Sequence, residues 1–236
     1  MATINPPRSI SKRHELREDQ VITFYARAWD YFDKNRTVVY GVVAGLVLVV
    51  LGIIGYVVYQ NQQEEKAQQL LGQIVGVYEA GRYREALDGA EGQPGLLAVA
   101  DDYGSTDAGN LARFYAADAL FNLGEYDQAL RQFSAFDAEA NIIGASAVAG
   151  EAAVYEMQEN FREAAAHYRE AALLFENDLT SPRYLLDAAR NYEAAGDYAA
   201  ARQAYETIRT DFPESTQATG VDFYLARLDA LTSAQQ

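Results

Sequence analysis

The sequence predicts an all-α protein: a single N-terminal transmembrane helix, then a superhelix of helical hairpins closed by a C-terminal capping helix. Three observations predict it. The uncharged run TVVYGVVAGLVLVVLGIIGYVVYQNQQ, 37–63, stays apolar for longer than the core helix of a soluble protein. The chain beyond it places apolar residues at helical spacing, and four of its segments align with one another. The stretch from Ser215 onward has one apolar face, the pattern of a helix that covers the end of an array.

Residues 1–16 carry a proline pair, scattered charges and no apolar period, the composition of a mobile tail. His14 stands alone there and is expected to be solvated. From 17 to 36 the pattern changes. Val21, Ile22, Tyr25, Ala28, Trp29 and Phe32 recur at helical spacing, with Asp19, Arg27, Asp30 and Lys34 opposite. An amphipathic helix of this kind suits two settings: the headgroup region with Trp29 at the interface, or the cytoplasmic face of a partner.

The apolar heart of the span, Val38 to Tyr59, is 22 residues, about 33 Å of helix at about 1.5 Å per residue. A single charge near Leu48 would cost about 3 kcal/mol. Arg17, Arg27, Lys34 and Arg36 precede the run, whereas only Lys66 follows it within 60–80. The positive-inside rule therefore keeps the N-terminus in the cytoplasm and puts 64–236 outside. The run is too long for a cleaved signal peptide and leads into QNQQEEK with no small-residue cleavage site, which makes it an uncleaved signal anchor. At about 100° per residue Gly41, Ala44, Gly45, Gly52 and Gly55 share one stripe, a surface on which another helix can pack closely. Tyr40 at one end, and Tyr56 and Tyr59 at the other, match interfacial belts.

Beyond the span, AGRYREAL (80–87), LGEYDQALRQF (123–133), QENFREAAAHY (158–168) and AGDYAAARQAY (195–205) align at spacings of 43, 35 and 37. Each pairs an aromatic with an alanine three residues on: Tyr83/Ala86, Tyr126/Ala129, Phe161/Ala164 and Tyr198/Ala201. The last three add Phe133, Tyr168 and Tyr205. The pattern resembles the tetratricopeptide repeat, a pair of antiparallel helices. Gly81, Gly124 and Gly196 are expected in the tight turn between helices, where a left-handed backbone suits glycine. Ala117, Ala152 and Ala189 are expected at the close helix crossing, and all the motif aromatics in the core. Between the first two repeats lies GAEGQPGLLAVADDYGSTDAGN, in which Pro94 is expected to start a short helix and Gly104–Thr106 to turn into the next. Ser215 or Thr216 is expected to cap a closing helix that carries Val221, Tyr224, Leu225, Leu228 and Leu231.

The block ADDYGSTDAGNLARFYAADALFNLGEYDQAL, with EDQVITFYARAWDYF before the span, resembles the membrane-anchored tetratricopeptide-repeat proteins of the ancillary SecYEG translocon subunit family, over about residues 17–228. Thr106, Ala108, Gly109, Asn110, Leu111 and Ala112 are its most specific part. The resemblance implies a single-pass protein of the bacterial inner membrane, placed beside the translocon with its repeat domain, 64–236, in the periplasm. It also implies association with a membrane-anchored parvulin-like chaperone and contact with exported chains. Anchor and repeats equally suit a membrane-tethered scaffold for a cell-envelope assembly, in cell division or outer-membrane biogenesis.

Charge and composition narrow the chemistry. Residues 1–37 carry seven Lys or Arg against five acids, and the remainder twelve against 29. So acidic a domain is repelled by phosphate backbones, and no nucleic-acid partner is expected. Cysteine is absent, which excludes disulfides, zinc–thiolate sites and thiol catalysis. The two histidines, His14 and His167, fall on opposite sides of the span, and no GxxxxGK[ST] phosphate loop occurs. No enzymatic activity, cofactor, metal or small-molecule substrate is expected. What remains is a surface. In the repeat register the inner-groove positions of the first helices are Leu71, Val75 and Tyr78, then Leu111, Phe114, Asp118, Phe121 and Asn122, then Glu156 and Met157, then Arg183, Leu186, Arg190 and Glu193. The expected partner-binding set is Leu111, Phe114, Asp118, Phe121, Asn122, Met157 and Arg190. Phe114 and Phe121 are expected to be open walls whose replacement leaves the fold intact.

Overall fold

The computed structural model describes residues 29, 31–90 and 92–233; the expected tail with His14, and most of the amphipathic stretch 17–36, lie outside them. The chain divides into two compact units between Tyr59 and Gln60.

In the first unit, Trp29 and Phe32 are in ring contact at 5.9 Å, Phe32 and Tyr40 at 5.8 Å, and Arg36 pairs with Asp33 at 2.6 Å. Helix α1 (Arg36–Glu79) begins here. Its apolar side chains up to Tyr59 are uncovered, Leu48 being 70% exposed. Among the described residues it is the one helix long and apolar enough to cross a membrane. Ala44 and the four stripe glycines, Gly41, Gly45, Gly52 and Gly55, all lie on this stretch, and a Cβ added at any of the glycines meets nothing within 4 Å. The helix continues past residue 63, where the expected membrane segment ends, to Glu79. Residues 64–79 contain no proline and set Ala67, Leu71 and Ile74 at helical spacing, all three buried in the second unit.

The second unit takes the remainder of α1 as its first helix. There follow α2 (Tyr83–Asp88), a two-residue antiparallel ladder of β1 (Gly89–Ala90) and β2 (Gln93–Pro94), and α3 (Leu96–Asp102). Three hairpins come next: α4 (Asp107–Asn122) with α5 (Tyr126–Ser134), α6 (Ile142–Met157) with α7 (Phe161–Leu174), and α8 (Ser181–Ala194) with α9 (Tyr198–Asp211). A 3-10 turn (Thr216–Gly220) leads into α10 (Val221–Ser233). The all-α expectation holds except for the small ladder. Pro94 pairs opposite Gly89 in that ladder, and the short helix starts after Gly95 instead.

The hairpins close where the repeat pattern places their turns. Gly81, Gly124 and Gly196 have φ of 72°, 77° and 76°, and Glu159 takes the same role in the third repeat at φ 60°. Thr106, Asn141 and Asp197 cap α4, α6 and α9 by accepting backbone N–H bonds, and Ser215 caps the 3-10 turn in the same way. Small residues let the helices cross closely: Ala117, Ala129, Ala152, Ala164, Ala189 and Ala201 are fully buried. The motif aromatics split. Phe133, Tyr168 and Tyr205 are buried, but Tyr83, Tyr126, Phe161 and Tyr198 are half-exposed, because each is the first residue of its helix and sits at the hairpin end.

Two apolar cores result. One gathers the second-unit part of α1 and helices α2 to α5; the other gathers α7 to α10. Helix α6 serves both, giving Ala147 and Val154 to the first and Ala145, Ala149 and Ala152 to the second. At the closing end, Val221, Leu225 and Leu228 are buried, and Tyr224 stacks on Tyr205 at 5.1 Å. Leu231, expected in that apolar face, is 40% exposed.

Candidate partner-binding surface

Helix α4 carries two stripes. Phe114, Ala117 and Phe121 recur at i, i+3 and i+7 and face the core. The Phe114 ring packs against Phe133 at 6.1 Å and Phe136 at 6.0 Å, and Phe121 packs against Tyr126 at 5.5 Å. These rings were expected to be open groove walls; they are half-buried, each with one side packed against the second repeat's core. The neighbouring stripe, Leu111, Tyr115, Asp118 and Asn122, faces away from α5 toward α1. Asp118 accepts a short hydrogen bond from the Tyr78 hydroxyl of α1 and another from Asn122 Nδ2 at 2.8 Å. Burial, and then the Asp118 carboxylate, push the Tyr78 hydroxyl well above the usual phenol range, so this bond keeps its proton on tyrosine.

Between α1 and α4 lies a trough of about 440 Å³. Leu71, Gly72 and Val75 form one wall; Ala108, Leu111 and Tyr115 form the other; Glu64, Gln68 and Asp107 stand at one end. Glu64 accepts from the Ala108 N–H at 3.3 Å and from Gln68 at 2.7 Å, which ties the two helices together there. Leu111 and Asp107 also border a second hollow of about 290 Å³, lined on its far side by Phe136, Asp137, Glu139, Asn141 and Ile143. Asn110 fixes that side, donating to the Asp137 carbonyl at 3.1 Å and accepting from its N–H at 3.0 Å.

The remaining expected residues sit elsewhere. Met157, at the end of α6, is 52% exposed, and Arg190 of α8 stands 3.6 Å from Asp187. The Arg190 pKa is raised chiefly by its hydrogen bond with Tyr224 of the closing helix, and less by Asp187. Burial raises the Asp187 carboxyl, and Arg190 and Arg183 pull it back. The expected groove positions are thus mostly apolar in the first two repeats and mostly charged in the last. Among the expected set, Leu111 alone lines the trough; Gly72, Ala108 and Tyr115 line it too and were not expected. The spacing of Leu111 and Tyr115, four apart on one helix, is the signal that finds them.

A repeating side-chain pair joins the two helices within each of the last two hairpins. Tyr168 donates to Glu156 at 3.0 Å and Tyr205 to Glu193 at 2.6 Å, each twelve residues apart. The second repeat has Phe121 and Phe133 at the same positions. Against this register, a tetratricopeptide repeat model matches residues 183–215. This stretch is a tetratricopeptide repeat. It spans most of the α8–α9 hairpin and ends beyond Pro213. No curated protein and no solved structure matches the chain. A tetratricopeptide repeat suggests a protein–protein interaction domain, and the trough is an apolar hollow on its surface. His167 stacks on Tyr155 at 5.2 Å with Nδ1 3.3 Å from Glu151.

Proposed function

We propose that this chain is a non-enzymatic, single-pass membrane protein that presents its repeat domain to other proteins, as an ancillary subunit of the SecYEG translocon. On this reading 37–63 anchors it in a bacterial inner membrane, the N-terminus is cytoplasmic, and the repeat domain works in the periplasm on exported chains or on a membrane-anchored parvulin-like chaperone. The observation that carries the reading is the uncovered apolar stretch of α1, which in water would expose sixteen large apolar side chains to no purpose. The resemblance of the block around Thr106–Ala112 supports the translocon as its neighbour.

Two measurements test it. A reporter active only outside the cytoplasm is expected to work when fused after Gln236 and to fail before Ile10; the reverse pattern overturns the topology. Photo-crosslinkers placed at Val75 and Leu111 in native membranes are expected to capture translocon subunits or their attendant chaperone. Crosslinks confined to a division or outer-membrane assembly would replace the translocon with an envelope scaffold.

A further inference from the structure

We propose that the trough between α1 and α4 takes a segment of a partner protein that presents apolar side chains beside Arg or Lys. The proposal rests on the partner-binding reading above but not on the anchor. Its apolar walls are Leu71, Val75, Leu111 and Tyr115, and none of the described residues fills the space between them. The charges around it have one sign. Asp107 lies where the trough meets the second hollow, and Asp137 and Glu139 line that hollow's far side. All three are exposed, and among the described residues none is ion-paired with Lys or Arg. The nearest base on α4, Arg113, is turned away, donating to the Ala100 and Ala135 carbonyls at 3.0 and 3.2 Å. An apolar side chain seated against Leu111 would therefore bring its neighbours in sequence to a rim of unpaired carboxylates. A basic neighbour is attracted there and an acidic one repelled, and both effects weaken with salt.

Gly72 makes the idea testable without disturbing the fold. It lines the trough, is exposed, and a Cβ built on it meets nothing within 4 Å. Leucine also favours a helix over glycine, so Gly72→Leu fills the trough while leaving the helix as stable or more so. The full chain in lipid nanodiscs is titrated, by fluorescence anisotropy, with a labelled nine-residue peptide of two Leu flanked by two Arg. Versions with Glu for Arg, or Ser for Leu, are compared. The Arg/Leu peptide is expected to bind at least tenfold tighter than either. Asp137→Asn with Glu139→Gln is expected to shrink the advantage of Arg over Glu severalfold. Gly72→Leu is expected to abolish binding with an unchanged or higher melting temperature. Equal binding of the Glu or the Ser version overturns the proposal, as does undiminished binding by Gly72→Leu. Failure here with translocon crosslinks intact rejects the trough alone; peptide binding without such crosslinks rejects the translocon reading alone.

Discussion

Glu159 stands where three other hairpin turns have glycine. Its φ of 60° puts an L side chain in the left-handed region that Gly81, Gly124 and Gly196 enter freely. That conformation costs a residue with a Cβ about 1 to 2 kcal/mol. The third turn is therefore the strained one, and the rest of its repeat holds it in place. Glu159→Gly is expected to raise stability by about 1 kcal/mol, and Gly124→Glu to lower it by a similar amount. Urea denaturation of the two variants checks both signs. At this scale the sequence is a good guide to turns and a poor one to the exceptions: nothing in QENF announces that glutamate keeps the glycine geometry, because the spacing of its neighbours decides it.

The element that joins the two cores is α6, and Gly150 shows how. A Cβ built there lies 2.4 Å from the buried Phe133 ring of α5, so the ring occupies the space a side chain would need. Gly150→Val is expected to push Phe133 out of its site and cost about 1 to 3 kcal/mol. Hydrogen exchange should show the loss first in α5 and leave α8 and α9 protected. Helix α4 explains which part of the site was legible. The repeat register assigned α4 to the groove, but the two apolar stripes of that helix lie side by side, and both carry aromatics. Phe114 and Phe121 were expected in the groove because the repeat register puts them at its positions. They face Phe133, Phe136 and Tyr126 instead, as the partner-filled side of a hairpin requires. Only the position of α5 separates the stripes, and spacing within α4 alone does not contain it. The ladder at Gly89–Pro94 escaped for a similar reason, since two-residue strands have no periodicity to read.

Across the whole molecule the outline was legible: an uncovered apolar helix, hairpins at the expected turns and a closing helix over the last repeat. Length and period carry such features directly. The charge balance was legible too, and it has a consequence. With 29 acids against twelve bases beyond residue 37, the repeat domain repels itself, and most of these charges are exposed. Raising salt from about 10 mM to about 300 mM shortens the screening length from roughly 30 Å to below 10 Å. The melting temperature is expected to rise by several degrees over that range. A calorimetric scan that shows a fall would mean that its surface ion pairs, such as Arg84 with Glu125 and Arg227 with Glu193, outweigh the repulsion.

The shared helix α6 is built from five alanines and two glycines among its sixteen residues. Such side chains have no rotamers to freeze when the chain folds, whereas a leucine, methionine or glutamate loses roughly 0.5 to 2 kcal/mol of freedom on burial. The five alanines therefore order with little side-chain cost, while the two glycines give up more backbone freedom than any other residue would.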